Sequence, residues 1–206
     1  MEIFSIVFML GLAAMVLNAN AQRKRLAFLA GHLRPYQIEK QMESLIDGYL
    51  RALGEADPVR QQQVWGTLDA TEQSLSQQVT RLAEDLQRAD PAQTRMSGVP
   101  LQALLADKLP DSAVLDLRAL IQVHAQGIAA LARHPDGETP AARKQRAYTM
   151  SAELLLLQHS CHWYCRSLAL ASARLQAKHD TPYRQVVQSV SNGTRQAYAR
   201  LTNYPL

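Results

Sequence analysis

The feature that most constrains this chain is an apolar segment near its beginning, which carries no charged residue from Ile3 to Gln22. A helix rises about 1.5 Å per residue, so a segment of this length spans about 30 Å, the thickness of the hydrocarbon core of a bilayer. A basic run, Arg23-Lys24-Arg25, follows directly. We therefore predict that the chain contacts the lipid bilayer through residues 3–22, and that residues 1–25 form a membrane anchor.

Two other interpretations of this segment are weaker. The triplet Ala19-Asn20-Ala21 fits the cleavage site of a secretory signal peptide, but the two residues before the apolar stretch include no Lys or Arg. The basic run also lies after the apparent cleavage site, which is the wrong side for such a signal. A buried helix of a soluble protein is disfavoured because the predicted helix has no polar face before Asn18.

The distribution of basic residues predicts the orientation of the anchor. Lys and Arg are enriched in the cytoplasmic flanks of membrane helices. Here Glu2 lies on one side, and the basic run and Arg34 lie on the other. The chain is therefore expected to cross the membrane once, with its bulk in the cytoplasm. A composition rich in Ala, Leu, Arg and Gln suggests a bacterial inner membrane.

Residues 26–206 are predicted to form one helical bundle domain. Hydrophobic residues make up 47% of the chain, which is enough for a full core, and abundant Ala, Leu, Gln and Arg favour helix. No run of alternating β-branched residues indicates a strand. The predicted fold class is all-α, with an N-terminal transmembrane helix followed by an antiparallel helical bundle with long coiled-coil-like helices.

Helix boundaries follow from capping residues and periodicity. The first helix should stop at Pro35, and a short amphipathic helix should carry a buried stripe from Ile38 to Leu53. Asp57-Pro58 and Thr139-Pro140 fit the N-cap and first-turn positions of helices. The later helices are predicted at residues 58–87, 110–134, 140–178 and 182–201, with residues 88–100 as a mobile loop.

The densest group of reactive side chains lies in LQHSCHWYCRSL, residues 157–168, which contains both cysteines of the chain. On a helix, Cys161 and Cys165 share a face, and His162 lies one turn from Cys165. The spacing matches neither a haem attachment sequence nor a thioredoxin-type pair. Cys161 continues a heptad pattern, so we interpret it as a core residue. Cys161, His162 and Cys165 remain candidates for a redox site or for a metal site shared with a second chain.

The pairing of neighbouring helices indicates whether one chain could complete such a site. A turn centred near residue 136 places Cys161 opposite about Asp111, and a turn near residue 180 places it opposite about Tyr198. Neither neighbour offers a Cys or His, whereas zinc takes about four such ligands. No metal or cofactor is therefore expected within one subunit, although a site that uses Asp111 or a second copy stays open.

Two further features of the longest predicted helix and its neighbour bear on the core. The stripe of Leu156, Trp163 and Leu170 indicates either a central helix buried on two sides or an exposed surface for a partner, and we favour the central position. His124 is a lone histidine on an apolar stripe, which predicts a hydrogen-bonded core residue that faces about Tyr148.

A basic cluster of Arg143, Lys144 and Arg146 lies in the first turns of that helix, where the helix dipole disfavours cations. We interpret it as a solvated face, with lipid headgroups or an acidic partner as the alternative. No pair of carboxylates stands out, and no glycine-rich phosphate loop, dinucleotide fingerprint, nucleophile elbow or zinc-protease motif is present in the sequence. An enzyme is therefore the least supported class, and we propose no catalytic residue.

The net charge of +4 is too small to indicate nucleic acid, which we do not expect as a partner. We favour a membrane-tethered interaction or scaffold protein that binds a protein partner, or itself, through helix faces of the predicted helices 58–87 and 140–178. One alternative is a thiol- or metal-responsive sensor that uses Cys161, His162 and Cys165. The other is a periplasmic ligand-binding bundle, if the orientation is reversed.

Overall fold

The computed structural model describes residues 2–99, 102–135 and 137–205 of the 206-residue chain. The fold of these residues is all-α, as predicted, apart from one pair of two-residue antiparallel strands. Turns of 3₁₀ helix at Ala106–Lys108 and Asp111–Ala113 precede the second strand. The elements are α1 (Glu2–Leu33), α2 (Ile38–Gly54), α3 (Pro58–Gln87), α4 (Pro91–Thr94), β1 (Arg95–Met96), α5 (Gln102–Leu105), β2 (Leu115–Asp116), α6 (Leu117–Leu131), α7 (Pro140–Cys165), α8 (Leu168–His179), α9 (Tyr183–Ser189) and α10 (Asn192–Thr202).

Helix α1 is continuous from the apolar segment into the bundle. Every large apolar side chain described from Phe4 to Leu17 is at least 48% exposed, whereas Leu29 is 3% exposed. The second half of α1 packs against α3, α5 and α7. By length and composition, Phe4–Leu33 is able to cross a membrane, a criterion that a signal sequence also satisfies. The predicted division at residue 25 falls inside this unbroken helix and stays a prediction.

Helices α2 and α3 form where the sequence predicts them. Helix α3 starts at Pro58 because the Asp57 carboxylate accepts hydrogen bonds from the backbone N–H groups of Val59 and Arg60. The buried residues of α3 that periodicity missed include Trp65 at 6% and Glu72 at 1% exposure. The buried residues of α2 are Ile38, Met42, Leu45, Tyr49 and Ala52.

The segment between α3 and α6 differs from the prediction. Instead of a loop, it contains α4 and then β1, which pairs with β2 through Arg95 opposite Asp116 and Met96 opposite Leu115. The Met96 side chain is 0% exposed, so this segment is part of the core. Helix α6 begins at Leu117 rather than Pro110, because Asp116 is its N-cap and accepts from the Arg118 N–H. Pro100, the predicted end of the loop, lies outside the described residues.

The predicted helix 140–178 is broken, and the prediction of one helix is wrong. It begins at Pro140 with Thr139 as N-cap, as expected, but α7 ends at Cys165. Arg166 then leaves helical geometry, with φ −128° and ψ −93°, and the Ser167 side chain caps α8 by accepting from the Leu170 N–H. A serine side chain that bonds nearby backbone offers the chain an alternative to continued helix. The turn centre predicted at residue 136 lies outside the described residues.

The predicted helix 182–201 is also two helices. Helix α9 ends at Ser189, Ser191 is the N-cap of α10, and the side chain of Ser191 accepts from the Thr194 N–H. The backbone N–H of Ser191 donates to the Glu153 carboxylate of α7 at 3.1 Å. This buried carboxylate satisfies a donor that a continuous helix would have bonded internally.

Helix α7 occupies the centre of the bundle, in contact with α1, α2, α6, α8 and α9. Leu156 is 0% and Trp163 is 3% exposed, as expected for a central helix, whereas Leu170 lies beyond the break and is 57% exposed. The apolar stripes of α3 and α7 are therefore buried in the core. A partner would need a different surface from the one that the sequence suggested.

Candidate functional site

The structure separates the three candidate residues of the Cys/His cluster. Cys165 is buried in the last turn of α7, Cys161 is partly buried, and His162 lies on the side of α7 that lines a groove. Burial is the main cause that raises the pKa of Cys161 to about 12 and the pKa of Cys165 to about 11. Both thiols are therefore protonated near neutral pH. A cysteine is a good nucleophile or metal ligand only as the thiolate, so neither residue is suited to these roles in the folded protein.

The groove beside His162 lies between α2 and α8 and has a volume of about 450 Å³. Its α2 wall is acidic and its α8 wall is basic. Residues four apart on a helix share a face, so each wall presents a row of like charges along its helix. The charged residues that line it are Glu39, Glu43, Asp47, Arg174 and Lys178.

The two walls are not neutralised by one another. None of the ion pairs within 4.0 Å among the described residues joins α2 to α8. His162 lies between the walls, and burial, followed by the charges of Arg174 and Lys178, lowers its pKa to about 4. At neutral pH its ring is therefore uncharged. The groove holds two unpaired rows of opposite charge, one on each side.

A second polar cluster, centred on Glu72, lies at the other end of α7. Glu72 is 1% exposed and accepts hydrogen bonds from the Tyr49 hydroxyl at 2.6 Å and from the His134 ring at 2.8 Å. Arg146 donates to the same carboxylate and to Glu138. The cluster ties α2, α3, the segment after α6 and the start of α7 together.

This cluster corrects two predictions. Arg143 and Arg146 are not on a solvated face and do not point to lipid, because Arg143 pairs with Asp69 and Arg146 pairs with Glu72 inside the protein. Of the three residues in the predicted basic cluster, only Lys144 is exposed. The carboxylates of Asp69 and Glu72 also form a group that periodicity did not reveal, since both lie on the flank of the apolar stripe of α3.

The Asp69, Glu72 and His134 ligand atoms lie within 4.8 Å of one another, the one such group found among the described residues. Cys161, His162 and Cys165 do not form one. In the Glu72 cluster, however, the guanidinium of Arg146 already contacts Glu72, and that of Arg143 contacts Asp69. The positive charges that a metal would supply are present as arginines, so the cluster is best explained as a structural ion network.

A third polar network lies inside the bundle. His124 on α6 shares a hydrogen bond of 2.9 Å with Ser160 on α7, and the Tyr183 and Tyr198 hydroxyls are 3.0 Å apart. His124 is thus a hydrogen-bonded core residue, as predicted, but it does not face Tyr148. The midpoint between residues 124 and 160 along the chain is residue 142, whereas the prediction placed the centre of the turn near residue 136. Helix α7 therefore extends past the end of α6.

A serine bonded to a histidine is also the arrangement of an activated nucleophile. Here both residues are 0% exposed, and burial lowers the pKa of His124 to about 3. A substrate has no route to Ser160, and the neutral ring serves as a packed hydrogen-bonding group.

No family model, no curated protein and no solved structure matches the chain. The groove between α2 and α8 is therefore the best candidate for a functional site on its own chemistry.

Proposed function

We propose that this chain is a single-pass inner-membrane interaction protein, with residues 3–22 in the bilayer and the helical bundle of residues 26–206 on the cytoplasmic side. One observation carries the proposal: α1 runs without a break from side chains exposed on every face into the packed core. Large apolar side chains exposed all around a helix are stable in lipid and costly in water.

The junction of anchor and bundle also supports this function. Arg25 is 9% exposed, and its guanidinium donates to the backbone carbonyl oxygens of Tyr164 and Arg95. Arg166 donates to the side chain of Gln22 at 2.6 Å. These bonds fix the rotation of α1 relative to α7, so the bilayer and the bundle are rigidly coupled. Such coupling suits a protein that presents a surface at a set height above a membrane.

Membrane extraction tests the anchor. The variant Leu10→Arg places a charge in the middle of the apolar segment, which costs about 2.5–3.5 kcal/mol of insertion free energy, so we expect the protein to move to the soluble or aggregated fraction. The matched control Leu26→Arg changes an exposed leucine outside the segment and should remain in the membrane. A mature protein that begins after Ala21 would contradict the anchor, and a reporter fused after Leu206 that is active only in the periplasm would contradict the orientation.

For the interaction surface, we propose the groove between α2 and α8, with a second copy of this chain as its partner. One copy offers both halves of a complementary pair, because Glu43 and Lys178 lie on opposite walls. Rotation by 180° about an axis along the groove places the acidic wall of each copy on the basic wall of the other. Opposite charges are then paired twice in one symmetric dimer.

Charge reversal in two chains tests this arrangement. Glu43→Lys alone and Lys178→Glu alone each place like charges together twice, so each should dimerise at least about tenfold more weakly than the natural chain. A mixture of the two variants restores opposite charges at both contacts and should form a heterodimer. Lys144→Glu is a control at an exposed site. A natural chain that stays monomeric in nanodiscs, or a mixture that fails to associate, would contradict the proposal.

The sensor hypothesis receives little physical support, since burial keeps the thiols of Cys161 and Cys165 protonated. The periplasmic ligand-binding hypothesis depends on the reversed orientation, and the reporter experiment decides it. Neither a cofactor nor nucleic acid enters the proposed function.

A further inference from the structure

We propose that a second groove, between α1 and the α4–α5 region, binds the headgroup of an anionic phospholipid. This inference rests on the proposed membrane anchor, because the groove is built on the part of α1 that leaves the bilayer. The groove has a volume of about 770 Å³. The lining residues that carry the argument are Leu17, Arg23, Lys24, Phe28, Gln93 and Leu104.

The depth of the groove matches the surface of a bilayer. Leu17 lies inside the apolar segment and Phe28 lies beyond it, and about 11 helical residues span roughly 16 Å along α1. The headgroup layer on each side of the hydrocarbon core is roughly 5–8 Å thick. The groove therefore extends from the acyl region through the headgroup region, which is the span of the polar end of one lipid and the start of its chains.

The charge of the groove suits a phosphate group. Arg23 and Lys24 are exposed, and no ion pair among the described residues includes either of them. Arg25 differs from both, because it is buried and bound to backbone carbonyls. By fixing the rotation of α1, Arg25 holds its two neighbours towards the groove. Arginine and lysine are the usual donors to phosphate oxygens in proteins.

The apolar lining distinguishes a lipid from a free anion. Leu17 is 54% exposed, and Phe28 and Leu104 are partly buried in the same groove. A free phosphate would leave these side chains in water, whereas the acyl chains of a lipid cover them. Cations beside apolar side chains at the bilayer surface are the combination that recognises an anionic lipid.

The test uses the full chain in nanodiscs of phosphatidylcholine alone and of phosphatidylcholine with phosphatidylglycerol. Native mass spectrometry counts the lipids that remain bound. We expect one phosphatidylglycerol to be retained in preference to phosphatidylcholine, and R23Q with K24Q to lower that preference roughly 30-fold, since each cation near the surface contributes roughly fivefold. Ala92→Trp should lower it as well, because the larger side chain fills the groove without a change in charge.

A matched control removes two other exposed cations, through Arg133→Gln with Lys144→Gln. Lys144 lies about 30 Å along α7 from Cys165, away from the anchor. This control should retain the lipid preference. Equal losses in both double variants would mean that only net charge matters, which would overturn the groove. Retention of phosphatidylglycerol by the Ala92→Trp variant, or inorganic phosphate that displaces the lipid, would also overturn it.

The outcomes separate this inference from the proposed anchor. If the chain fails to enter nanodiscs of either composition, the anchor itself is wrong. If the chain enters both equally and shows no lipid preference, the anchor stands and the lipid site is wrong.

Discussion

The guanidinium of Arg25 donates a hydrogen bond of 3.1 Å to the backbone carbonyl oxygen of Tyr164, and its carbon lies 5.1 Å from the centroid of the Tyr164 ring. Tyr164 is in the last turn of α7, where carbonyl groups lack helical partners and the dipole is negative. A cation from α1 therefore caps the central helix of the bundle. This buried contact is one of several that join the two elements.

Removal of this contact should destabilise the bundle. Arg25→Gln is expected to lower the free energy of unfolding by about 2–3 kcal/mol, because charged hydrogen bonds to the end of a helix are lost. Arg25→Lys keeps the charge but not the two-pronged geometry, and its loss should be smaller. Unfolding by guanidinium chloride in detergent, monitored through the fluorescence of the buried Trp65 and Trp163, measures the loss of stability in both variants. Arg34→Gln, at an exposed position, should change stability by less than about 0.5 kcal/mol.

Glu72 should be the most sensitive carboxylate of the bundle. Glu72→Gln leaves Arg146 with one fewer acidic partner in a buried site, and breaking a buried ion pair costs about 3–5 kcal/mol. The same fluorescence titration measures the loss. Glu84→Gln, an exposed change on the same helix, provides the comparison and should cost less than about 0.5 kcal/mol. Equal effects of the two substitutions would contradict the ion network.

Stability should fall as the solution is acidified, in part because of His124. Burial lowers its pKa from 6.5 to about 3, so below pH 6.5 the unfolded chain binds a proton that the folded chain does not. This contribution is present above pH 6.5 and is lost as pH falls towards 3; between pH 7 and pH 5 it amounts to roughly 2 kcal/mol. The raised pKa of Glu153 acts in the opposite direction, so the comparison must be made between variants.

Unfolding titrations of variants at pH 7 and pH 5 isolate the histidine. His124→Gln should be less stable at pH 7 but should lose roughly 2 kcal/mol less than the natural chain on acidification. Ser160→Ala removes the hydrogen-bond partner and no titrating group, so its cost should be similar at both pH values. An unchanged pH dependence in His124→Gln would contradict the lowered pKa, because it would mean that the ring binds its proton equally well in the folded and unfolded chains.

The two thiols should react slowly in the folded protein. At pH 8, pKa values of about 11 for Cys165 and about 12 for Cys161 leave very little thiolate, compared with a usual pKa of 9.0. Labelling by a thiol reagent should be slower than in the unfolded chain by about 100-fold for Cys165 and about 1,000-fold for Cys161. Rapid labelling of either residue in the folded protein would revive the sensor hypothesis.

The sequence predicted those helix ends that depend on neighbouring residues. Asp57 and Thr139 cap the helix that immediately follows each of them, so their role is visible in a short stretch of chain. The breaks at Ser167 and Ser191 were missed because the apolar spacing continues through both. Each break is stabilised in part by a residue that is distant in the sequence. Arg25 donates a hydrogen bond to the end of α7, and Glu153 accepts one from the start of α10.

The candidate site was predictable only in part. The sequence indicated His162 as a residue of interest, but its position in a groove depends on how α7 lies against α2 and α8. That arrangement was out of reach because the sequence suggested one straight helix from Pro140 to Lys178. Glu72 was missed for a different reason: an acidic residue beside an apolar stripe is usually solvated, and its partner Arg146 is far away in the sequence.

In the proposed membrane arrangement, the unbroken course of α1 gives the bilayer a mechanical influence on the bundle. Membrane helices are tilted on average by about 20° from the bilayer normal, and a helix that is too long for a thinner bilayer can respond by tilting. No turn interrupts α1 between Ala21 and Leu33, so the bundle must tilt with it. A helix as long as α3 spans about 45 Å, and a tilt of about 20° therefore moves its far end by roughly 15 Å. Bilayer thickness would then set the orientation of the bundle, because α1 transmits its tilt to the bundle without a hinge.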